Sequence, residues 1–413
     1  MDCTVERSRV SGRAACPPSK SYTHRAVFLG SLAGGTVVEG ALDSGDALST
    51  VSACRAMGAS IDEGGDIVIR DPIGGGDAEI DAGNSGTTMR MAAGIAALRP
   101  ARTTIRGDDS LQRRPMGALL SALEQAGASC TSEGGLPPVS VTGPMRGGAV
   151  SIGGGTSSQF ISALLAAAPA TEEGISIRVE GAQVSRPYVG ATIAAMARFG
   201  ASAGATDEGY SAAPARYRGC RFRVPSDYSS MALLASAAVL AGELEISHDD
   251  GGLPQGDKRF LAMISGMGAE VRDSGGLARI SAPDGVSGGE FDLGDTPDLL
   301  PPLAILALAA SGPIRITNVG HARAKETDRI SVVAAELGKL GVGAREGPDW
   351  LELGPPAEPR GAVLDPRGDH RLFMAFFIAG MRVGRCRVLG AESASISYPG
   401  FVGQMRGLGA ITS

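Results

Sequence analysis

The segment Ala324–Ile330 carries the densest set of side chains that could do chemistry, with Lys325, Glu326 and Arg329 inside five positions. If this segment is helical, Lys325 and Arg329 lie one turn apart on one face and Glu326 lies beside them. Two cations at that spacing repel each other, so a bound anion would relieve the pair. The alternative interpretation is the solvated charged face of an ordinary helix.

Lysine usage favours a functional role for this segment. Of 38 lysine and arginine residues, four are lysines: Lys20, Lys258, Lys325 and Lys339. Where arginine is the default cation, a lysine marks a position that needs a compact charge or a titratable amine. Two of the four lie in candidate site motifs.

Composition excludes several classes of protein. A net charge of -6 without any basic run argues against a nucleic-acid partner. The six cysteines are scattered without C-x-x-C spacing, and the four histidines show no ligand spacing with them, so we expect a reduced, cytoplasmic protein with no metal and no cofactor. The N-terminus does not read as a signal peptide, and the longest apolar run, 299–310, contains two prolines, so no membrane partner is expected.

Other stretches place polar or cationic side chains where helices are predicted to begin. Each has an ordinary structural alternative: a capped helix, a glycine turn or solvated arginines. The glycine loop 153–159 has the character of a phosphate cradle but lacks the Gly-Lys-[Ser/Thr] of a nucleotide loop. The stretches are Pro17–Arg25, Asp81–Arg90, Leu111–Pro115, Gly153–Gln159, Val184–Tyr188, Asp298 before an apolar run, and Gly368–Arg371.

One pattern repeats six times along the chain. Glycines at 58, 127, 200, 268, 341 and 409 each follow a helical pattern and are 69, 73, 68, 73 and 68 residues apart. Glycine is the usual residue just after a helix C-terminus. Each interval also holds an earlier apolar helix with a polar entry, and a short β-branched strand follows most of these helices.

The repeat predicts an α/β protein built from six helix–strand–helix–strand units of about 70 residues, packed on one another. The apolar helices are expected to be buried all round, with polar N-terminal ends facing a shared space. Helix N-termini attract anions, so several aimed at one place indicate a site for an anionic substrate. Two groups of three units would form two lobes.

Taken together and in this order, the motifs resemble those of the 5-enolpyruvylshikimate-3-phosphate synthases, or 3-phosphoshikimate 1-carboxyvinyltransferases. The resemblance covers the whole chain. It implies a two-lobed inside-out α/β barrel of six βαβαββ units, three per lobe. One lobe would comprise residues 1–18 plus 227–413, and the other residues 19–226.

The resemblance also implies site residues. Shikimate 3-phosphate would be held by Lys20, Ser21, Arg25, Ser157, Ser158, Gln159, Ser185, Tyr188, Asp298 and Lys325. Phosphoenolpyruvate would be held by Lys20, Gly86, Arg114, Gln159, Arg329 and Arg371. Two positions depart from the family pattern: His321 stands where some members have Asn, and Ile396 stands where many have Lys.

The implied reaction transfers the carboxyvinyl group of phosphoenolpyruvate to the 5-hydroxyl of shikimate 3-phosphate, in a monomeric cytoplasmic enzyme of aromatic biosynthesis. It needs a base, an acid and cations around developing charge. Asp298 is the predicted base, and Glu326 and Lys20 are the candidates for acid and proton shuttle.

Two alternative functions share part of this pattern. A UDP-N-acetylglucosamine enolpyruvyl transferase would usually carry a cysteine shortly before Arg114-Pro115, and this chain has Asp108–Gln112 there. A non-catalytic anion-binding repeat protein would not need both Asp298 and Glu326.

Overall fold

The structure, a computed structural model, describes residues 2–155 and 157–413; Thr156 of the predicted glycine loop lies outside them. The chain forms two compact units. Unit 1 contains the residues up to Pro17, Ser226–Asp250 and Gln255–Ser413, and unit 2 contains Pro18–Pro225 and Gly251–Pro254.

The short segment Gly251–Pro254 was predicted to belong with residues 227–413, but it lies in unit 2. Leu253 is buried in the hydrophobic core of unit 2. The Tyr22 hydroxyl donates to the Pro254 carbonyl at 2.7 Å, and Arg198 donates to the Gly251 carbonyl at 3.1 Å. These contacts explain why four residues leave the unit that their flanking segments belong to.

Single helices alternate with groups of one to three strands. The helices are α1 Lys20–Ala33, α2 Gly45–Ala56, α3 Gly86–Ala96, α4 Gly117–Gln125, α5 Ser158–Ala167, α6 Arg186–Arg198, α7 Tyr228–Ala241, α8 Arg259–Gly266, α9 Leu300–Ala304, α10 Arg329–Lys339, α11 His370–Val383 and α12 Phe401–Gly407. The strands are β1 Cys3–Val5, β2 Arg13–Ala15, β3 Thr36–Glu39, β4 Ser60–Gly64, β5 Asp66–Asp71, β6 Ala78–Asp81, β7 Thr103–Arg106, β8 Ser129–Glu133, β9 Leu136–Thr142, β10 Gly148–Gly153, β11 Ile175–Glu180, β12 Ala203–Thr206, β13 Gly209–Ala212, β14 Arg221–Arg223, β15 Glu243–Ser247, β16 Glu270–Ser274, β17 Leu277–Ser281, β18 Gly289–Asp292, β19 Ile314–Thr317, β20 Gly343–Glu346, β21 Leu351–Gly354, β22 Val363–Leu364 and β23 Cys386–Val388.

Five four-stranded sheets share one arrangement. Unit 2 holds β14-β3-β5-β4, β6-β7-β9-β8 and β10-β11-β13-β12, and unit 1 holds β2-β15-β17-β16 and β18-β19-β21-β20. In each, the first two strands are parallel and the last pair is an antiparallel hairpin. A sixth sheet, β1-β23-β22, completes unit 1. The predicted repeat is confirmed, and in five of the six sheets a parallel strand and an antiparallel hairpin complete the four-stranded arrangement.

Two kinds of helix alternate, as the sequence predicts. The odd-numbered helices α1, α3 and α5 contact one another in unit 2, as do α7, α9 and α11 in unit 1. Their Ala- and Leu-rich bodies are buried on nearly every side; all fourteen residues of α7 are buried. The even-numbered helices end at the six repeated glycines, whose φ angles lie between 80° and 114°. This left-handed backbone favours glycine and confirms the predicted helix stops.

Two predicted helices begin differently. Lys325 and Arg329 do not share a helical turn, because α10 starts at Arg329, where the Asp328 carboxylate accepts from the Ser331 amide. Lys325 has an extended backbone after a short 3-10 helix. Asp298 lies within a 3-10 turn, Pro297–Leu299, which is followed by the five-residue α9 and a second 3-10 turn, Ile305–Leu308. Its carboxylate accepts from Arg329 at 2.8 Å.

None of the helices in the described ranges is long and apolar enough to cross a membrane.

Helices α3 and α5 approach so closely that a glycine is required. A Cβ placed on Gly94 of α3 would lie 2.7 Å from the Ala163 carbonyl oxygen of α5. We expect Gly94→Ala to lower the free energy of unfolding by about 1–3 kcal/mol, because two backbones must separate. Gly190→Ala in α6, where nothing lies within 4 Å, is the matched control. It should raise stability by about 0.5–1 kcal/mol through helix propensity. Urea unfolding of both variants measures the contrast, and equal effects would contradict it.

Candidate functional site

In unit 2 the predicted site residues cluster at the N-terminal ends of helices. Lys20, Ser21 and Arg25 lie in the first two turns of α1, Gly86 is the first residue of α3, and Ser158 and Gln159 open α5. Ser185 precedes α6, Tyr188 lies in its first turn, and Arg114 follows a 3-10 helix at Leu111–Arg113. Because α1 contacts α6, and α5 contacts both α3 and α6, these starts are held by one packed helix layer.

Ser19, Ser85 and Ser157 cap the three inner helices of unit 2. Each side chain accepts a hydrogen bond from a backbone amide in the first turn of α1, α3 or α5. The predicted substrate contact Ser157 therefore already has a structural role, since its hydroxyl accepts from the Gln159 amide at 3.2 Å. The remaining free amides and the helix dipole favour an anion at each of these ends.

A buried chain of hydroxyl groups joins α1, α2 and α3 beneath these ends. His24 Nδ1 lies 2.6 Å from Thr50 Oγ1, which lies 2.6 Å from Thr88 Oγ1, and Thr88 donates to Ser85 Oγ at 2.8 Å. Burial lowers the pKa of His24 well below its ordinary value, and nearby Lys20 adds to the effect. The imidazole is therefore neutral and serves to fix the helix ends in register.

Lys20 and Arg25 have partners that hold their side chains in place. The Lys20 ammonium lies 2.9 Å from Asp46 Oδ2 of α2. Arg25 is 4% exposed and donates to Thr192 Oγ1 and to the carbonyls of Ser21 and Tyr188, each at 2.9 Å. Three of the five N–H groups of Arg25 are used in this way, which leaves two for a ligand.

Gly86 makes room for two guanidinium groups. A Cβ at this position would lie 2.5 Å from Arg90 Nη1 and 3.3 Å from Arg114 Nη1. Arg90 donates to Gln159 Oε1 at 2.6 Å, and Gln159 donates in turn to Thr87 Oγ1 at 3.0 Å. Two cations thus converge on the N-terminus of α3, an arrangement suited to an anionic ligand.

Arg90 was absent from the predicted site. Its position one turn after Gly86 on α3 was a signal that could have found it, because residues i and i+4 share a helix face. Its guanidinium also lies over the Phe160 ring, 5.5 Å from the centroid, and the side chain is 7% exposed. A cation held this firmly has a defined direction before any ligand binds.

Unit 1 is organised around Arg329, which is 1% exposed. Its Nε donates to Asp369 Oδ2 at 2.7 Å, its Nη1 to Asp298 Oδ1 at 2.8 Å and its Nη2 to Glu326 Oε2 at 2.6 Å. The Nη2 group also donates to Asp369 Oδ1 at 3.4 Å. Four of five N–H groups are thus used by carboxylates, so a ligand would find one directly available.

Asp298 bridges two arginines, since Arg371 Nη2 lies 3.0 Å from its second oxygen. Burial raises the pKa of Asp298, but the positive charges of Arg371, Lys325 and Arg329 outweigh burial and hold that pKa well below its ordinary value. The carboxylate is therefore ionised, as a base must be, and its basicity is weak while both arginines contact it.

Lys325 and His321 complete the polar group around Asp298. Burial lowers the pKa of the Lys325 ammonium, although Asp298 acts in the opposite direction. Burial, followed by the charge of Lys325, lowers the pKa of His321 to about 4. The imidazole is therefore neutral at pH 7, and its buried Nε2 has no hydrogen-bond partner among the described residues. This nitrogen can donate to or accept from a hydroxyl group, depending on the tautomer.

Asp257 is a buried carboxyl that lies outside the predicted set of site residues. It is 4% exposed and accepts a short hydrogen bond from the Ser229 hydroxyl. Burial, with the negative charge of Asp298, raises its pKa to about 6. Asp257 and Asp298 thus carry opposite pKa shifts, the pattern that places a proton on one acid and removes it from the other.

Within residues 2–155 and 157–413, no three His, Cys, Asp or Glu side chains are grouped so as to hold a metal ion.

Comparisons with known proteins agree in one family. The model for EPSP synthase (3-phosphoshikimate 1-carboxyvinyltransferase) matches residues 5–405. The chain is 49% identical to the 3-phosphoshikimate 1-carboxyvinyltransferase of Nitrosopumilus maritimus and 44% identical to that of Methanothermobacter thermautotrophicus, covering 99% of both sequences in each case.

Solved structures agree on the fold. An EPSP synthase from Acinetobacter baumannii has a TM-score of 0.81 at 26% identity, with 100% of this chain and 99% of that chain covered. An enolpyruvyl transferase from Streptomyces tendae, at 18% identity, has a TM-score of 0.78 over 100% and 98% of the two chains. The predicted fold class is confirmed.

The first site prediction concerns Gly86. We expect Gly86→Ala to raise the KM for phosphoenolpyruvate at least tenfold, because the new methyl displaces the guanidinium groups of Arg90 and Arg114 from the helix end. Gly45→Ala is the matched control: Gly45 also follows a capping serine as the first helical residue, and nothing lies within 4 Å of its added Cβ. Steady-state kinetics of both variants measure the difference. A KM within twofold of wild type for Gly86→Ala would refute the expected displacement.

The second concerns Asp257 and pH. Its folded pKa of about 6 lies above the ordinary 3.8, so between these values the folded state binds more protons and stability falls as pH rises. Asp257→Asn removes this loss while its amide oxygen can still accept from Ser229. We expect the variant to be more stable than wild type at pH 8, by up to about 3 kcal/mol, and to differ little near pH 4. Urea unfolding at both pH values tests this, and a stability difference that does not change with pH would contradict it.

Proposed function

The chain belongs to the EPSP synthase family, and on this premise we propose how its residues carry out the reaction. The enzyme transfers the enolpyruvyl group of phosphoenolpyruvate to shikimate 3-phosphate in aromatic biosynthesis.

Shikimate 3-phosphate is recognised by polar groups at helix N-terminal ends and by the side chains of Asp298 and Lys325. The hydroxyl groups and free amides at the starts of α1 and α5, with the two remaining N–H groups of Arg25, supply donors to the phosphate. His321 offers a neutral nitrogen to a ring hydroxyl. The contacts carried over from the family are Lys20, Ser21, Arg25, Ser157, Ser158, Gln159, Ser185, Tyr188, Asp298 and Lys325.

Phosphoenolpyruvate is bound by Lys20, Gly86, Arg114, Gln159, Arg329 and Arg371. Arg90 belongs with this group, because its guanidinium lies between the Gln159 amide and the Gly86 backbone. Guanidinium groups bind carboxylate and phosphate oxygens in pairs, so these side chains suit both anionic groups of the substrate.

One observation carries the assignment of acid and base. The same guanidinium, Arg329, holds Asp298 and Glu326 at 2.8 and 2.6 Å on its two terminal nitrogens. The predicted base and acid are therefore fixed a short distance apart on one rigid plane. A non-catalytic anion-binding repeat protein would not require two partly exposed carboxylates that are both bonded to one buried arginine.

The proposed reaction has two steps. Asp298 takes the proton of the 5-hydroxyl as the hydroxyl oxygen attacks C2 of phosphoenolpyruvate, and Glu326, which enters the step protonated, gives its proton to the C3 methylene and makes it a methyl group. In the second step the bond between C2 and the phosphate oxygen breaks, Glu326 takes back a methyl proton, and the C2–C3 double bond is restored. Lys20 passes the proton held by Asp298 to the departing phosphate, so that both carboxyl groups return to their starting states. When the substrate carboxylate engages Arg329 and Arg371, it shares the positive charge that holds the pKa of Asp298 down, so Asp298 becomes a stronger base.

The enzyme works as a monomer in the cytoplasm under this proposal. Both sets of assigned residues come from a single chain, so a second copy is not required to supply a side chain. Light scattering coupled to size-exclusion chromatography at assay concentration tests the monomer, and a stable dimer mass would overturn it.

Phosphate release from phosphoenolpyruvate is the direct assay of function. Release is expected with shikimate 3-phosphate and not with UDP-N-acetylglucosamine or with phosphoenolpyruvate alone. Efficient turnover of UDP-N-acetylglucosamine would overturn the assignment of the acceptor.

The base assignment gives a further prediction. We expect Asp298→Ala to lower kcat by about 10²–10⁴-fold, because general-base catalysis is lost. Phosphoenolpyruvate affinity should not weaken, because Arg329 and Arg371 lose a competing carboxylate. Asp292→Ala, an exposed carboxylate that accepts from the Asn318 amide group, is the control. Rapid-quench measurement of a single turnover isolates the chemical step, and a near-normal rate in Asp298→Ala would remove this residue from the role of base.

A further inference from the structure

Asp369 is a fully buried carboxylate, at 0% exposure, that none of the predicted substrate contacts includes. One face of it meets a side chain: Oδ2 accepts from Arg329 Nε at 2.7 Å, and Oδ1 accepts from Arg329 Nη2 at 3.4 Å. The other contacts are to backbone, because Oδ1 also accepts from the amides of Arg371 and Leu372 at 2.9 and 3.3 Å. The Asp369 carboxylate thus bonds to the side chain of Arg329 and to the backbone amide of Arg371.

These contacts close a ring of interactions. Asp369 orients the Arg329 guanidinium plane and fixes the first turn of α11, from which Arg371 projects. The Arg329 and Arg371 side chains then meet again at Asp298, on its two separate oxygens. Arg329 and Arg371 of the proposed phosphoenolpyruvate site therefore share two partners: both bond to Asp369, and both bond to Asp298.

Helix capping alone does not account for a carboxylate at this position. Helices α1, α3 and α5 are capped by serine, so an uncharged residue is sufficient for a cap, although α7 is capped by Asp227. Burying a carboxylate completely is costly unless a cation and further donors satisfy it. At Asp369 this cation is Arg329, which explains why the residue is charged. The contacts to the backbone amides are those of a helix cap.

We propose that Asp369 is a positioning residue for the enolpyruvyl transfer, acting through Arg329 to direct its remaining N–H group, together with Arg371, at phosphoenolpyruvate. This inference rests on the proposed function. Asp369 does not touch the substrate; it holds the guanidinium plane so that the donor and the two carboxylates Asp298 and Glu326 keep fixed directions.

A double-mutant cycle tests an action through Arg329. Asp369→Ser keeps a capping oxygen for α11 and removes the contact to Arg329, and Asp369→Asn gives a second variant of the original size. We expect each to lower kcat/KM for phosphoenolpyruvate at least 30-fold while the KM for shikimate 3-phosphate stays within threefold. In an Arg329→Gln background, the same substitutions should change kcat/KM by less than threefold, because the group they act through is gone.

Asp328→Asn is the matched control. Asp328 also caps a helix, α10, and pairs with an arginine, but that arginine is Arg323, which is outside the proposed site. Its kcat/KM should stay within threefold of wild type. Thermal unfolding of every variant confirms that it is folded at the assay temperature.

The outcomes separate the two proposals. Equal 30-fold losses in both backgrounds would mean that Asp369 acts on folding or on another group, and would overturn the inference. A KM for shikimate 3-phosphate that rises as much as the KM for phosphoenolpyruvate would also overturn the inference. If wild-type enzyme fails to release phosphate with shikimate 3-phosphate, the proposed function itself falls, whatever the variants do.

Discussion

The buried guanidinium of Arg329 is the interaction on which the rest of unit 1 depends. A cation at 1% exposure must be neutralised and hydrogen-bonded, and three carboxylates from three parts of the chain take four of its five N–H groups. Around it, Lys325, Arg329 and Arg371 face Asp298, Glu326 and Asp369, so the formal charges balance. A neutral cluster can be buried, whereas three cations alone could not, and this balance replaces the mutual repulsion that the sequence pattern first indicates.

Unit 2 attracts anions by a different physical route. Its inner helices present their N-termini with serine caps, and the charge comes from helix dipoles and from guanidinium groups held by neutral acceptors. Arg25 donates to carbonyls and a hydroxyl, and Arg90 donates to an amide oxygen. These acceptors carry no formal charge, whereas the acceptors of Arg329 in unit 1 are carboxylates. The two units therefore hold their buried arginines by different means, and the proposed acid and base belong to unit 1.

The sequence predicts those features that one short stretch determines. The six glycine stops follow from a backbone that only glycine adopts easily, and the capping serines at 19, 85 and 157 follow from local hydrogen bonds. The start of α10 was misplaced because Asp328, itself a capping residue, was read as part of a continuous charged helix. The carboxylate of Asp369 could not be assigned, because its partner Arg329 lies forty residues earlier in the chain. A longer separation in sequence, 69 residues, hides the contact between Arg90 and Gln159.

The buried carboxyl of Asp257 lowers the stability of the folded protein at neutral pH. Asp257 sits close enough to Asp298 for the two negative charges to raise the pKa of Asp257, and burial acts in the same direction. A serine or an asparagine in its place would avoid that cost and would still be able to bond Ser229. Functional sites characteristically keep such unfavourable groups, because the geometry of the reaction constrains them more than stability does. Below about pH 6 Asp257 is mostly protonated while Asp298 is still ionised, so the negative charge near Arg371 is smaller there than at neutral pH. In that pH range the cluster repels a substrate with several negative charges less than it does when both carboxyl groups are ionised.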